Sequence, residues 1–265
     1  MGGILRLFTA MAIAMALVMP AAASELSCWF PPNWKEKGEQ AKKITDALSR
    51  SGVAVKPRIA KSYPEILDAF ASGEGGLVYV GSFVQAIIRA RDLGTPLVQA
   101  IDGKELYGSL MVYPKGQNPE EILKKYPKEI AFAKAASSGE SGAKAATDGQ
   151  AAIETPGHPN SVGAVKAGKA KAAFVKNGWW NTNKKDYPEF DSFEVPGVSD
   201  ALNPDNVLTA SKKVSEGDRE KLKQAAIAAK EVFGANEMVA FSPDKLDFTL
   251  ELMKKGKIDP LKYAF

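Results

Sequence analysis

Short apolar runs that end in glycine or serine and lead into a helix recur along this chain. Leu77-Val78-Tyr79-Val80 is followed at once by Gly81-Ser82-Phe83 and a helical stretch Val84–Leu93. Ile130-Ala131-Phe132-Ala133 is followed by the turn Ser137-Ser138-Gly139-Glu140-Ser141-Gly142 and an Ala-rich helix. A continuous apolar run of this length fits a parallel strand buried on both faces. Parallel neighbours need a crossover, usually a helix, so the pattern points to an α/β architecture. In open α/β sheets the ligand crevice lies beyond the carboxyl ends of the strands, where free helix N–H groups and hydroxyls gather.

The rest of the chain fits this frame. Leu26–Phe30 alternates and stops at Pro31-Pro32, a first strand. Trp34–Ser51 carries Ala41, Ile44 and Leu48 at helical spacing. Val53–Ile59 is a strand interrupted by Pro57, which places it at an edge. Ser62-Tyr63-Pro64-Glu65 reads as a capping box. Leu97–Ile101 is a strand, Glu105–Tyr113 an extended run, and Glu120–Leu123 a helix. Gly157-His158-Pro159-Asn160-Ser161 precedes a short helix ending at Gly168, and strand Ala170–Val175 leads to Asn177-Gly178-Trp179-Trp180. Asn181–Glu189 reads as a surface loop, Phe193-Glu194-Val195 as a strand and Asn203–Asn206 as a turn. Val207–Ala210 returns the chain to the first sheet, followed by helices from Ser215 to Phe233 and from Pro243 to Lys255. Crossings near 106–113 and 205–210 predict two α/β lobes able to close about a ligand.

Composition narrows the function. The 265 residues are 45% apolar and 25% charged, with a net charge of +4 and both signs interspersed. No basic patch suggests a nucleic-acid partner. Arg6 precedes the apolar run Leu7 to Met19, then Pro20 and Ala21-Ala22-Ala23, so residues 1–23 read as a cleaved signal peptide and the mature chain as periplasmic. Cys28 is the one cysteine, and Glu25 upstream of it argues against a lipid-anchor signal. One His and one Cys exclude HExxH and thiolate metal sites. No GxSxG elbow or P-loop is present, and nothing in the sequence makes Ser137 and His158 neighbours. The expectation is a monomeric binder, not an enzyme, with no metal and no cofactor. An interaction protein showing an apolar patch is the remaining class.

Candidate ligand contacts are the polar and aromatic residues at strand ends: Trp29, Phe30, Ser82, Phe83, Ser137, Ser138, His158, Asn177, Trp179 and Trp180, with Tyr63, Glu105 and Tyr107. Each has a plain structural alternative. Trp29 and Phe30 serve equally as core and rim, Trp179-Trp180 as packing against the following loop, Glu105 as a solvated charge and Tyr63 as a helix staple.

These motifs, in this order, carry a resemblance. Val78–Phe83, Tyr107–Val112, Ile130–Gly142, the segment from Gly157-His158 to Ala170, and Asn206-Val207-Leu208 together resemble the PhnD-like (phosphate/phosphite/phosphonate-type) periplasmic substrate-binding proteins. The resemblance implies a type 2 periplasmic-binding-protein fold, with two α/β lobes joined by a two-strand hinge. Residues 24–108 and 206–265 would form one lobe and 109–205 the other. It implies capture of a ligand in the interlobe cleft and delivery to an inner-membrane transporter. Phosphonate binders of this family cradle the oxyanion in a Ser/Thr-rich turn, but Glu140 stands in that turn here. Near Asn177, where they place an acidic residue, this chain has an amide. The Glu105-x-Tyr107 pair and Asn177 are instead similar to the subgroup associated with bacterial sterol transport. The favoured ligand is therefore an amphipathic lipid such as a sterol, with Glu105, Tyr107 and Asn177 on its hydroxyl head and the aromatic residues on its body. The alternative is a phosphonate- or phosphate-type oxyanion carried by an ABC importer.

Overall fold

The computed structural model describes residues 25–103, 105–134 and 138–263. The signal-peptide reading of residues 1–23 and the ligand contact expected of Ser137 fall outside them.

β1 (Leu26–Phe30) buries alternate side chains and ends at the two prolines. A 3-10 turn over Pro32–Lys37 precedes α1 (Gly38–Ser49), which buries the expected stripe Ala41, Ile44 and Leu48. β2 (Val55–Ile59) is an edge strand, where Pro57 removes no needed donor. α2 (Tyr63–Ala71) starts where expected, but the capping box is only partial. Ser62 makes no side-chain cap, and the Glu65 carboxylate accepts the Lys61 N–H at 2.7 Å, one residue upstream of the expected donor. β3 (Gly76–Val80) is buried throughout, as its composition predicts. α3 (Ser82–Ala90) follows at once and is pinned by buried Gln85, which donates to Val207 O and accepts from Thr209 Oγ1.

β4 (Gly94–Ile101) completes the first half. β5 (Leu106–Tyr107) and β6 (Ser109–Pro114) divide the extended run at Gly108, where a Cβ would collide with Ser199 O. α4 (Pro119–Lys125) is capped by Asn118, whose side chain accepts from Glu120 N and Glu121 N. β7 (Ile130–Ala133) leads to α5 (Ser138–Ala146). The Ser/Gly stretch is therefore not a turn: residues 138–142 are helical. The reason is close packing, because a Cβ at Gly142 would run into Ser109 Oγ and lie 3.2 Å from the Phe174 ring.

β8 (Ile153–Thr155), α6 (His158–Lys166), β9 (Ala172–Lys176) and α7 (Asn177–Asn183) follow. The surface loop expected over Asn181–Glu189 is largely α7 and a 3-10 turn at Lys184–Asp186. β10 (Phe190–Phe193) lies three residues before its expected start. β11 (Asn203–Pro204) replaces the turn expected at 203–206. β12 (Val207–Ser211), α8 (Glu216–Ala228), β13 (Glu237–Ala240) and α9 (Asp247–Lys255) close the chain. Ser215 caps α8 by accepting from Asp218 N, as expected, but the helix gives way to a 3-10 turn at Lys230–Phe233.

Two sheets form two lobes. One has the order β13-β4-β12-β3-β1-β2 and draws on both ends of the chain; the other has the order β10-β6-β9-β7-β8. The strands around β1 and around β7 are parallel, the others antiparallel. Antiparallel β5 and β11 pair between the sheets, Tyr107 with Asn203 and Leu106 with Pro204. The crossings thus fall at 106–107 and 203–204, the second slightly earlier than expected. Asn203, fully buried, locks this hinge: its amide donates to Tyr107 O at 3.3 Å and its Oδ1 accepts from Thr249 Oγ1 at 2.8 Å. α9 lies on both lobes, with Met253 in the core of Ile66, Phe70 and Ile87 and Leu252 in that of Ile122 and Phe132.

Candidate functional site

A cleft of about 710 Å3 opens where the two sheets face each other at the hinge. The carboxyl ends of β7 and β9 deliver Lys134 and Lys176 to it, each the first charge after a buried apolar run. The start of α6 presents Gly157 and His158, and α7 presents Trp179. Tyr107, Asp205 and Asn206 line it from the hinge. The first lobe adds Tyr63, Tyr79, Gly81, Phe83, Trp34 and Phe233.

The centre of this arrangement is a set of contacts across the hinge. Tyr107 Oη and Ser82 Oγ share a hydrogen bond of 2.8 Å. Lys176 Nζ lies 4.0 Å from the Tyr107 ring centroid and pairs with Asp205 Oδ2 at 3.0 Å. Burial, and next the charge of Asp205, hold the Tyr107 phenol well above its ordinary range, so it remains a hydroxyl donor. Burial pushes the Tyr63 phenol up to about 12. The His158 imidazole is pushed down to about 4, first by burial and then by the Lys176 ammonium, so it is neutral near pH 7. Its ring lies 5.7 Å from Trp179. Lys134 is paired with Glu154 at 2.8 Å.

Of the residues expected in the site, Tyr63, Phe83, Tyr107, His158 and Trp179 line the cleft, and Ser82 joins through Tyr107. Phe30 does not: it is fully buried and stacks on Trp34 at 4.8 Å in the first-lobe core. Trp29, on the opposite face of β1, packs beside the α2–α3 core under the Arg58 guanidinium. Trp180 is buried in the second-lobe core, stacked with Tyr187. Glu105 forms an ion pair with Lys245 instead of lining the cleft. Asn177, the first residue of α7, folds back on its own backbone, its Oδ1 accepting from Gly178 N at 2.7 Å. Ser138 is buried and donates to Gly108 O at 3.4 Å. Neither Asn177 nor Ser138 is among the cleft residues. The head-group trio Glu105, Tyr107 and Asn177 is therefore not assembled, and of the five aromatics expected around an apolar body only Phe83 and Trp179 reach the cleft.

Glu140 is also turned away from the cleft. Its buried carboxylate accepts from Tyr263 Oη at 2.8 and 2.9 Å, and Tyr263 rests its ring edge-on against Phe83. Lys134, Lys176, Asp205, Asn206, Trp34 and Phe233 were not anticipated. The signal for the two lysines was present, since a charge that ends a fully apolar strand sits at the sheet's carboxyl edge. A second concavity of about 620 Å3 between α1 and α8 is lined by Ala47, Ala225 and Ala228 with Lys221 and touches neither the hinge nor the second sheet. Among the described residues no group of three or more His, Cys, Asp or Glu could hold a metal, and no helix is long and apolar enough to cross a membrane.

Comparison with known proteins agrees with this geometry. Residues 35–244 match the family model for the periplasmic substrate-binding protein of phosphonate ABC transporters. No curated protein sequence matches the chain significantly. Among solved structures, PhnD1 from Prochlorococcus marinus (MIT 9301) in complex with methylphosphonate superposes with a TM-score of 0.65 at 16% identity, over 88% of this chain and 98% of that one. A Xanthomonas citri protein solved with chloride ion bound gives a TM-score of 0.71 at 12% identity over 88% and 97%. A binding protein component of an ABC phosphonate transporter from Pseudomonas aeruginosa gives 0.63 at 13% identity over 88% and 87%. At these identities the structures are evidence for the fold alone.

Proposed function

The chain belongs to the family of periplasmic substrate-binding proteins of phosphonate ABC transporters, and on that premise we propose that its cleft captures a phosphonate- or phosphate-type oxyanion for an importer. The observation that carries the reading is the chemistry meeting at the hinge. Lys176 supplies a cation, the hydrogen-bonded Tyr107–Ser82 pair presents a hydroxyl through Tyr107, and the start of α6 at His158 adds the positive end of a helix dipole. This oxyanion set replaces the sterol head-group site, whose trio is dispersed. The strand order supports dividing the protein into residues 24–108 with 206–265 and residues 109–205, with closure about β5 and β11. In this reading residues 1–23 direct export and are removed, and the protein has no catalytic step: it binds, closes and hands over its cargo.

Binding to the native state alone raises stability by about 2.7 kcal/mol at 100 times the dissociation constant. Thermal unfolding with methylphosphonate, phosphate and a 3-hydroxysterol in low detergent is therefore decisive. The expected result is a higher midpoint with at least one of the anions and none with the sterol. A midpoint raised by the sterol alone would return the site to a lipid.

A further inference from the structure

Resting on the oxyanion reading, we propose that Asp205 competes with the ligand for Lys176 and so sets both the affinity of the cleft and its preference for ligand charge. The Lys176 ammonium, which ends β9 in the second lobe, meets the Asp205 carboxylate at 3.0 Å directly after hinge strand β11. Both side chains are only about a third exposed or less, at 27% and 32%, so the pair is not a freely solvated surface contact. Asp205 is held in place by a second bond, its Oδ1 accepting the Asn206 N–H at 3.0 Å. The other cleft ammonium of the second lobe, Lys134, is taken by Glu154, which lies outside the cleft lining. Lys176 is thus the second-lobe cation whose counter-ion itself lines the cleft.

An oxyanion that reaches Lys176 either displaces this carboxylate or shares the ammonium with it. Displacement costs the existing ion pair, and sharing adds repulsion between two anions at short range. Both costs fall on the ligand, and repulsion is greater for a dianion than for a monoanion of the same shape. Asp205 also belongs to the crossing between the lobes, so its exchange takes place at the hinge, where closure is set.

The test is calorimetric titration of the purified protein and its Asp205→Asn variant with methylphosphonate at about pH 8, where a phosphate-type group is mainly dianionic, and with methanesulfonate, a monoanion of similar shape. Asp205→Asn should bind methylphosphonate roughly tenfold more tightly, equivalent to about 1.4 kcal/mol, with a smaller gain for methanesulfonate. Asp205→Glu should restore the weaker wild-type affinity. In a Lys176→Gln background the Asp205→Asn gain should vanish, which a merely structural role for Asp205 would not produce. If the amide variant does not fold, Asp205→Ser reads the same competition. Unchanged or weaker binding by the neutral variants, with wild-type binding intact, overturns this inference alone. Wild-type protein that binds neither anion overturns the oxyanion reading and this inference with it.

Discussion

At the scale of single residues, the site depends on side chains whose charge state is set by burial. His158 is the clearest case. An ordinary imidazole titrates near 6.5, whereas here burial and Lys176 hold it at about 4. Between about pH 6.5 and about pH 4 the unfolded chain therefore binds the additional proton. The stability from this group is present above 6.5 and is lost as pH falls toward 4. His158→Gln should flatten that acid loss, read as a smaller drop in melting temperature across the window; an unchanged slope would show that the imidazole is not held neutral. A bound oxyanion favours the imidazolium, so affinity should rise as pH falls over the same range. Tyr263→Phe removes the phenol that donates to the buried Glu140 carboxylate and should cost about 1.5–3 kcal/mol in denaturant unfolding. A loss near zero would mean that the carboxylate is held without it. This scale is also where the sequence is least legible. Trp29 and Phe30 are adjacent at a strand end, but successive strand residues face opposite sides, and neither side of β1 turned out to be the cleft. Glu105, at a crossing, and Asn177, at a strand's carboxyl end, read as head-group residues, yet each already has a partner in the protein: Lys245 for one and Gly178 N for the other.

At the scale of elements, the apolar runs were good guides and the glycines were not. β3, β7 and β9 appear essentially where Leu77–Val80, Ile130–Ala133 and Ala170–Val175 place them, because the apolar residues Leu77–Val80, Ile130–Ala133 and Ala172–Val175 are buried on both faces. Gly139 and Gly142 read as turn formers, but they lie inside α5 and let it approach Phe174, Ser109 and His158. A sequence shows that a glycine is present, not whether it supplies a backbone angle or a missing Cβ. Gly142→Ala should therefore destabilise despite the better helix propensity of alanine, by about 1–3 kcal/mol from overpacking against Ser109. A stabilised variant would show that helix propensity wins and that Ser109 leaves room for the added methyl. The hinge was legible as two crossings, and the resemblance implied two strands there, but the strands' exact positions were not legible, since two-residue strands carry no periodicity. Asn203→Ala removes the amide shared by Tyr107 O and Thr249 Oγ1 and should cost about 1–3 kcal/mol. Its ligand affinity should fall as well, because the strand that carries Tyr107 loses its anchor.

At the scale of the whole molecule, one chain forms two lobes by leaving the first sheet, building the second and returning. The C-terminal segment then ties the lobes together again. Arg91, directly after α3, donates to the carbonyls of Pro260 and Tyr263, each at 2.9 Å, while Tyr263 reaches Glu140 on α5. α9 buries Met253 against one lobe and Leu252 against the other. The two-lobed order of strands was readable because each strand–helix unit carries its own local signal; this bridging segment was not, because its role comes from contacts between distant parts of the chain. The proposed oxyanion in the cleft rests on Lys176. Calorimetric titration of wild-type protein and Lys176→Gln with methylphosphonate and phosphate tests it most directly. The expected result is single-site binding of at least one anion by the wild type and a loss of at least tenfold, about 1.4 kcal/mol, in the variant. Equal affinities in the two proteins, or no heat from either anion, would contradict it.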